Sequence, residues 1–254
     1  PPPPPPPLFF FTPMPAYEIR LSLVGSEMCI RDRSYTVNKM PDQIDQILLK
    51  KCLKAETATI GHKRHMGFVN RQVQNILNEK KTIAGTAITL AIPGQDSTLL
   101  HHIIQFLRPG DILCIDRLGD DKHACLGGGV AAAIVASGCS GVILDGPCTD
   151  VPELKEYGLQ VWCKGNSPIT TRIYNIGGSF NVPVSIGGVA TNPGDVVIAD
   201  FSGVLIMPKD EAEADVDWAL EKQQAEPATH KKIFNGSFIG DLSGASNFVN
   251  QKEN

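Results

Sequence analysis

Three consecutive glycines provide the first group of residues whose type and position could support chemistry. Gly127, Gly128 and Gly129 stand where a loop enters a helical pattern. Because glycine has no side chain, backbone N–H groups and the positive end of the helix can approach an anion such as a carboxylate or a phosphate. The same glycines would also permit close helix packing, and they form neither a P-loop nor a GxGxxG fingerprint.

Two carboxylates follow in the stretch DGPCTDVPEL, residues 145–154. Asp150 and Glu153 are three positions apart at the start of a short predicted helix, so their side chains fall on one face. Together with Asp145 at the end of a strand, they suit Mg2+, which takes few protein oxygens and keeps several waters. The alternative is that Asp150 caps the helix and Glu153 completes a capping box. This stretch alone leaves both interpretations open.

Three sequence blocks occur in an order that resembles one known family. They are GDDKHACLGGGVAAAIVASGCSGVILDGPCTDVPEL, NVPVSIGGVATNPGDVVIAD and GVLIMP. They resemble the regulator of ribonuclease activity A-like (RraA-like) family over roughly residues 50–225. That family includes class II 4-hydroxy-4-methyl-2-oxoglutarate aldolases and oxaloacetate decarboxylases. The resemblance implies an α/β fold, the α/β/β sandwich, as a single domain over residues 41–226. It also implies a homotrimer or a dimer of trimers, with an acid from a neighbouring chain completing the site.

The resemblance also assigns site residues. The family pattern is a glycine or aspartate, twenty residues, Arg-Asp, two residues and an acid, and here Gly128, Thr149-Asp150 and Glu153 occupy those places. By resemblance, Asp150 is a catalytic residue and a ligand of Mg2+ or Mn2+, and Glu153 holds metal-bound waters. The amides of Gly127–Gly129, together with Thr149, bind the substrate.

Thr149 departs from the family pattern, because the family has an arginine at this place. In active aldolases that arginine binds the keto-acid end and offsets negative charge on the enolate, whereas a threonine hydroxyl donates one hydrogen bond without charge. Arg117, just before the glycines, and Arg172 are the candidates to replace it. Our preferred hypothesis is that Arg117 is the catalytic and substrate-binding arginine. Either residue could instead be an ordinary surface arginine.

The function that the resemblance implies is a divalent-metal-dependent C–C lyase acting on small 2-oxo acids. Such an enzyme cleaves 4-hydroxy-4-methyl-2-oxoglutarate to pyruvate and decarboxylates oxaloacetate through the same enolate. Because of Thr149, two alternatives remain open. One is a lyase of altered specificity, and the other is a non-catalytic protein that binds and regulates a ribonuclease.

Several histidines and a cysteine are weaker candidates: His62, His65, His101, His102, His123 and Cys148. The first two have the spacing of half a metal site but also suit a solvated basic turn. His101 and His102 are adjacent and cannot share one helix face, so at most one of them is expected to be functional. His123 either shuttles protons or is a structural histidine. Cys148 is expected to serve packing.

Alternating helical and strand patterns must position these residues. An amphipathic helix capped by Asp42 is predicted in residues 40–57. Strands are then predicted at 81–92, 111–116, 140–146 and 159–165, with helices between them. Such alternation predicts a largely parallel sheet. After residue 175 the pattern changes to short β runs, which predict a meander or small barrel, followed by a helix over residues 210–226.

Composition sets the remaining expectations. With 254 residues, 42% hydrophobic content and a net charge of -4, the chain favours one core and no nucleic-acid partner. Seven cysteines without a CxxC pair favour reduced thiols and a cytoplasmic protein. Residues 1–39 are expected to be a translated adapter or vector segment preceding a start at Met40, or else disordered polyproline. They are not expected to span a membrane. Residues 227–254 are expected to form a polar tail.

Overall fold

The computed structural model describes residues 35–250. Its main sheet has nine strands within that range, in the order β1-β7-β3-β4-β5-β6-β2, and β10 and β11 branch from β3. The strands of this sheet are β1 Tyr35–Val37, β2 Gln74–Asn75, β3 Ile83–Ala91, β4 Asp111–Asp116, β5 Gly141–Asp145, β6 Val161–Cys163, β7 Gly178–Phe180, β10 Val196–Ala199 and β11 Val204–Met207. Strands β3, β4, β5 and β6 run parallel, which confirms the predicted parallel core.

The two faces of this sheet are covered by different layers. Alternate side chains point to opposite faces of a strand, so Ile88 and Leu113 pack against helices while Ile112 and Ile143 face the other way. The second face is covered by a separate hairpin of β8 Val184–Ile186 and β9 Val189–Thr191. Helices, sheet and hairpin form the expected α/β/β sandwich.

Eight α-helices lie within residues 35–250, and only some of them have a clear capping signal. Their bounds are α1 Gln46–Cys52, α2 Thr57–Ile60, α3 Thr98–Ile103, α4 Gly128–Ser137, α5 Val151–Glu156, α6 Lys209–Phe234, α7 Ile239–Ser243 and α8 Ala245–Asn250. The cap of α1 is Asp45, whose carboxylate accepts from the amides of Ile47 and Leu48, so the prediction of Asp42 as the cap is wrong. Helix α4 ends at Gly138, which adopts the left-handed conformation.

The last long helix is longer than its sequence pattern predicted. Helix α6 passes through Pro227 and continues to Phe234, although a proline removes one backbone hydrogen bond from a helix. Acidic residues in its first turn and lysines in its last turn complement the helix dipole. The predicted end at residue 226 is therefore wrong, and residues 239–250 carry two further short helices where a tail was expected.

The short β runs after residue 175 divide between two sheets, and they do not form one meander or barrel. Strands β10 and β11 are antiparallel, and β10 also pairs antiparallel with the first half of β3. Strand β7 pairs antiparallel with the last residues of β3. The length of β3 allows it to pair with β10 at one end, with β7 at the other and with β4 along its opposite edge.

The first described residues belong to the fold. Strand β1 pairs parallel with β7, and the amide of Asn38 donates to the carbonyl of Phe180 at 3.1 Å. Residues 35–37, which were predicted to belong to the adapter-derived or disordered N-terminal segment, therefore form part of the main sheet's edge. The expectation of an adapter-derived segment otherwise lies outside the described residues. Within residues 35–250, no helix is both long and apolar enough to cross a bilayer.

Candidate functional site

A cavity of about 400 Å3 lies at the amino end of α4. One part of its lining, which we call the glycine side, consists of Gly127, Gly128, Gly129, Thr149 and Asp150. Another part, which we call the arginine side, consists of Ser97, His101, Thr170, Thr171 and Arg172. The structure thus brings together the glycines, Thr149 and Asp150 that the sequence singled out.

On the glycine side, Asp150 is held in an uncommon conformation. Its φ is 53°, in the left-handed region that a non-glycine residue seldom adopts. Its side chain makes no capping hydrogen bond to α5. Instead, one carboxylate oxygen accepts from the amide of Gly128 at 2.9 Å and the other accepts from the hydroxyl of Thr149 at 3.2 Å. The capping interpretation of the Asp150 side chain is therefore wrong.

The carboxylates of Asp150 and Glu153 lie very close to the backbone of Gly127 and Gly128. A Cβ added at Gly128 would lie 1.6 Å from Oε2 of Glu153, and one added at Gly127 would lie 2.7 Å from Oδ2 of Asp150. Both distances are shorter than real Cβ contacts allow, so neither carboxylate could keep its place beside an alanine. Glu153 is exposed, and its carboxylate lies over the start of α4.

The donor set fits a hard divalent cation that retains water. Asp150 and Glu153 place two carboxylates around Gly127 and Gly128, which is a donor set typical of Mg2+ bound through one or two carboxylates. Within residues 35–250, no group of three or more His, Cys, Asp or Glu side chains is arranged to hold a metal. The cation would therefore depend on waters, substrate oxygens or another chain for its remaining ligands.

Asp145 does not join these carboxylates. The alternation along β5 places its side chain on the hairpin face, where it accepts from the amide of Gly187 at 3.0 Å and pairs with Lys164. The expectation that Asp145 lies beside Asp150 and Glu153 is therefore wrong, because the two-residue period of the strand turns its side chain to the other face.

On the arginine side, Arg172 is fixed through its backbone and one guanidinium nitrogen. Its amide donates to the carbonyl of Gln95, and its carbonyl accepts from the amide of Ser97, both at 2.9 Å. Nη1 donates to the hydroxyl of Thr170 at 2.7 Å and to the carbonyl of Thr171 at 3.0 Å. Arg172 is therefore held at the cavity wall by its backbone, although its side chain is exposed.

Arg117, the arginine that the sequence favoured, lies elsewhere. Its side chain is fully buried, and its Nη2 donates to the carbonyls of Gly94 and His123. Nε and Nη1 have no hydrogen-bond partner among the described residues. Because Arg117 is absent from the cavity lining and Arg172 is part of it, the preference for Arg117 does not fit this geometry.

The histidines separate into different environments. His101, on α3, lines the cavity, whereas the ring of His102 packs edge-on against Phe106 at 5.5 Å between centroids. His123 bonds through Nδ1 to Asp120 at 2.8 Å and is not part of the lining. Burial raises the pKa of Asp120, but hydrogen bonds from the amide and ring of His123 outweigh it and hold that pKa below its usual range. His62 and His65 are exposed after α2 and belong to no metal cluster of the described residues.

Sequence reasoning missed Ser97, Thr170 and Thr171, whose only signal is their place in loops next to predicted elements. Cys148 is buried as expected, with its Sγ 3.5 Å from that of Cys163. Burial raises the pKa values of the Cys114 and Cys125 thiols, which suits packing more than nucleophilic chemistry.

The fold and the cavity define an α/β/β sandwich with a site at a glycine-opened helix. The RraA-like (Aldolase/RraA) family matches residues 45–206, so the chain belongs to this family.

Two relatives and one solved structure illustrate the membership. A protein of Halalkalibacterium halodurans named "Putative 4-hydroxy-4-methyl-2-oxoglutarate aldolase" is 31% identical over 157 residues, covering 62% of this chain and 74% of its own. An Arabidopsis thaliana protein with the corresponding name is 29% identical over 131 residues, 52% of this chain and 78% of its own. Streptomyces coelicolor RraAS2, described as an unusual member of the RNase ES inhibitor RraA protein family, superposes with a TM-score of 0.66. That alignment has 28% identity and covers 76% of this chain and 98% of the other.

Proposed function

We propose that this protein is a divalent-metal-dependent C–C lyase acting on small 2-oxo acids. The observation that carries the proposal is the close approach of the Asp150 and Glu153 carboxylates to the glycine-opened end of α4, where Asp150 and the glycines line the cavity. Names of relatives support the same reaction class. The substrates proposed are 4-hydroxy-4-methyl-2-oxoglutarate and oxaloacetate.

Asp150 and Glu153 would hold Mg2+ or Mn2+, Asp150 as a ligand and Glu153 through water. When bound, the cation supplies Lewis-acid stabilisation of negative charge that develops on the substrate's keto oxygen. The hydrogen bonds from Gly128 and Thr149 fix the orientation of the Asp150 carboxylate. Amides at the start of α4 offer donors for a substrate carboxylate, and the helix dipole favours an anion there.

The bond changes are those of a retro-aldol cleavage. A base removes the proton of the C4 hydroxyl, the C3–C4 bond breaks, and its electrons pass into the C2 carbonyl to give a pyruvate enolate. C4 leaves as the ketone of a second pyruvate, and the enolate takes a proton at C3. His101 is the imidazole that lines the cavity, so we assign it as the candidate base. Decarboxylation of oxaloacetate releases CO2 and leaves the same enolate without needing that base for the breaking step.

The test is pyruvate release from both substrates, with Mg2+ and with EDTA, by the full chain and two variants. Asp150→Asn removes the proposed ligand charge and is expected to lower metal-dependent turnover by at least about 100-fold. Glu156→Gln removes one exposed carboxylate from the same helix, α5, and is expected to leave turnover unchanged. Absence of turnover in a folded wild-type protein, or full turnover by Asp150→Asn, would contradict the proposal.

A protein-binding role is the second candidate. It is favoured by the exposed apolar side chains of the C-terminal helices and their connections: Phe234, Phe238, Ile239, Phe248 and Val249. These residues lie outside the family-matched range, residues 45–206. A folded protein without turnover on either substrate would shift weight to this role.

A further inference from the structure

The cavity contains one guanidinium among the described residues that line it, and this group belongs to Arg172. The lining has no lysine, and its carboxylate is that of Asp150 on the glycine side. A small anionic ligand in this cavity therefore meets a fixed positive side chain on the arginine side. Arginine is well suited to this task because its planar fork can bind both oxygens of a carboxylate.

Within residues 35–250, hydrogen bonds hold the guanidinium of Arg172 in place, but they involve only one of its three nitrogens. Its hydrogen bonds to described residues all come from Nη1, which donates to acceptors on Thr170 and Thr171. Nη2 and Nε therefore remain as donors toward a ligand. Because the anchored nitrogen limits the orientations of the guanidinium, less conformational entropy is lost when a ligand binds than for a free side chain.

The glycine side offers a second place for negative charge. The amide of Gly128 is already used by Asp150, but a Cβ at Gly129 would meet nothing within 4 Å, so the backbone there is open. The start of the ten-residue helix α4 adds the positive end of its dipole. One cavity thus has donors for two carboxylates on two different parts of its wall.

We infer that Arg172 determines specificity by binding the second carboxylate of a dicarboxylic 2-oxo acid, the one remote from the keto group. The keto-acid end then lies on the glycine side. This assignment rests on the proposed function for its substrate class, but it concerns binding and can be tested without turnover. Arg172 also supplies this cavity with a positive side chain from a position other than 149, where the family has an arginine and this chain has a threonine.

The experiment is equilibrium binding, by calorimetry in the presence of Mg2+, of two probes that the reaction cannot cleave. 2-Oxoglutarate has the second carboxylate, and 2-oxopentanoate has the same chain length with a methyl group in its place. Arg172→Ala is expected to weaken binding of 2-oxoglutarate by about 10- to 100-fold, the usual effect of losing hydrogen bonds to a charged group. Its binding of 2-oxopentanoate is expected to change by less than about threefold.

Two further variants make the result specific. Arg172→Lys keeps the charge but loses the fork, so an intermediate affinity for 2-oxoglutarate is expected. Arg71→Ala removes another exposed arginine from outside this cavity, and both affinities are expected to remain those of wild type.

Equal loss of both probes in Arg172→Ala, or no loss of either, would overturn the assignment, and so would a wild-type protein that binds neither probe. Loss confined to 2-oxoglutarate would support it even if wild type cleaved no substrate. In that case the proposed lyase reaction would fail while the dicarboxylate site stood.

Discussion

The two sides of the cavity are built by different means. On the glycine side, the starts of α4 and α5 approach so closely that a single added carbon at Gly128 would collide with Glu153. On the arginine side, a loop after β6 is joined to the start of α3 by hydrogen bonds, among them those between Arg172 and the backbone of Gln95 and Ser97. One side is fixed by sterics and the other by backbone hydrogen bonds.

This difference separates what must stay constant from what can vary. Close approach restricts which residues can occupy positions 127 and 128 on the glycine side, because a side chain there would displace the carboxylate of Asp150 or Glu153. Backbone hydrogen bonds restrict side-chain identity much less, since most residues can supply an amide and a carbonyl. The arginine side is therefore the part of the cavity where substrate preference can change without loss of the fold.

The strongest challenge to this division is the buried Arg117, because a role for it in binding would move the cavity's cation away from the arginine side. We expect Arg117→Ala to lower the free energy of unfolding by about 3 kcal/mol, since it leaves a cavity in a close-packed region. Urea denaturation measures this change. The affinity of the folded variant for 2-oxoglutarate is expected to remain that of wild type.

A matched variant distinguishes the contribution of the Arg117 side-chain volume to stability from that of its charge. Arg117→Met fills most of the space without a guanidinium, and it is expected to recover most of the lost stability because two of the guanidinium nitrogens have no partner among the described residues. A more than tenfold loss of 2-oxoglutarate affinity in either variant, with stability intact, would instead make Arg117 the ligand-binding cation.

Asp96 connects the two segments that form the arginine side, so its substitution tests how much these hydrogen bonds stabilise that side. Its buried carboxylate accepts from the amide and hydroxyl of Thr98 and from the amides of Tyr174 and Ile176. Burial raises the pKa of Asp96, but these hydrogen bonds outweigh it and hold the pKa below its ordinary value. Asp96→Asn is therefore expected to lower the free energy of unfolding by about 2 kcal/mol at pH 7, measured by urea denaturation.

The stabilisation of the folded state by Asp96 depends on pH, and the lowered pKa of Asp96 decides the sign of this dependence. In the unfolded chain Asp96 has an ordinary pKa of about 4, so just below that pH the unfolded state binds more protons than the native state. The stabilisation is complete above the unfolded pKa and is lost as the pH falls through the lower native value. The difference between wild type and Asp96→Asn is therefore expected to narrow below about pH 4. A difference that stays constant down to acid pH would contradict this account, and Asp121→Asn, at an exposed site, is the control.

The glycine side could be predicted from sequence as one group. On the arginine side, Arg172 and His101 were separate candidates, and no sequence signal predicted that they share a cavity. Three adjacent glycines and the spacing of Asp150 and Glu153 are local signals that survive folding because each lies at the start of one helix. The contact between Arg172 and residues 95–97 joins segments more than seventy positions apart, and no periodicity reports it. Of the sandwich, the parallel strands were predictable for the same local reason, whereas the branching of β3 depends on long-range pairing.

The smallest expected effect lies in the support of Arg172. Thr170→Val keeps the shape of the side chain but removes the hydroxyl that accepts from Nη1 at 2.7 Å. The carbonyls of Thr170 and Thr171 remain as acceptors, so the guanidinium loses one of its hydrogen bonds but keeps the other two. The affinity for 2-oxoglutarate is expected to fall by about fivefold, which corresponds to one ordinary hydrogen bond, while 2-oxopentanoate binding stays constant.

Thr171→Val provides the matched comparison, because Thr171 supports Arg172 through its backbone carbonyl, which the substitution retains. Its affinity for 2-oxoglutarate is expected to remain within about twofold of wild type. If the two valine variants behaved alike, the hydroxyl of Thr170 would have no part in orienting the guanidinium. The arginine side would then owe its geometry to backbone hydrogen bonds alone, which would sharpen its contrast with the sterically fixed glycine side.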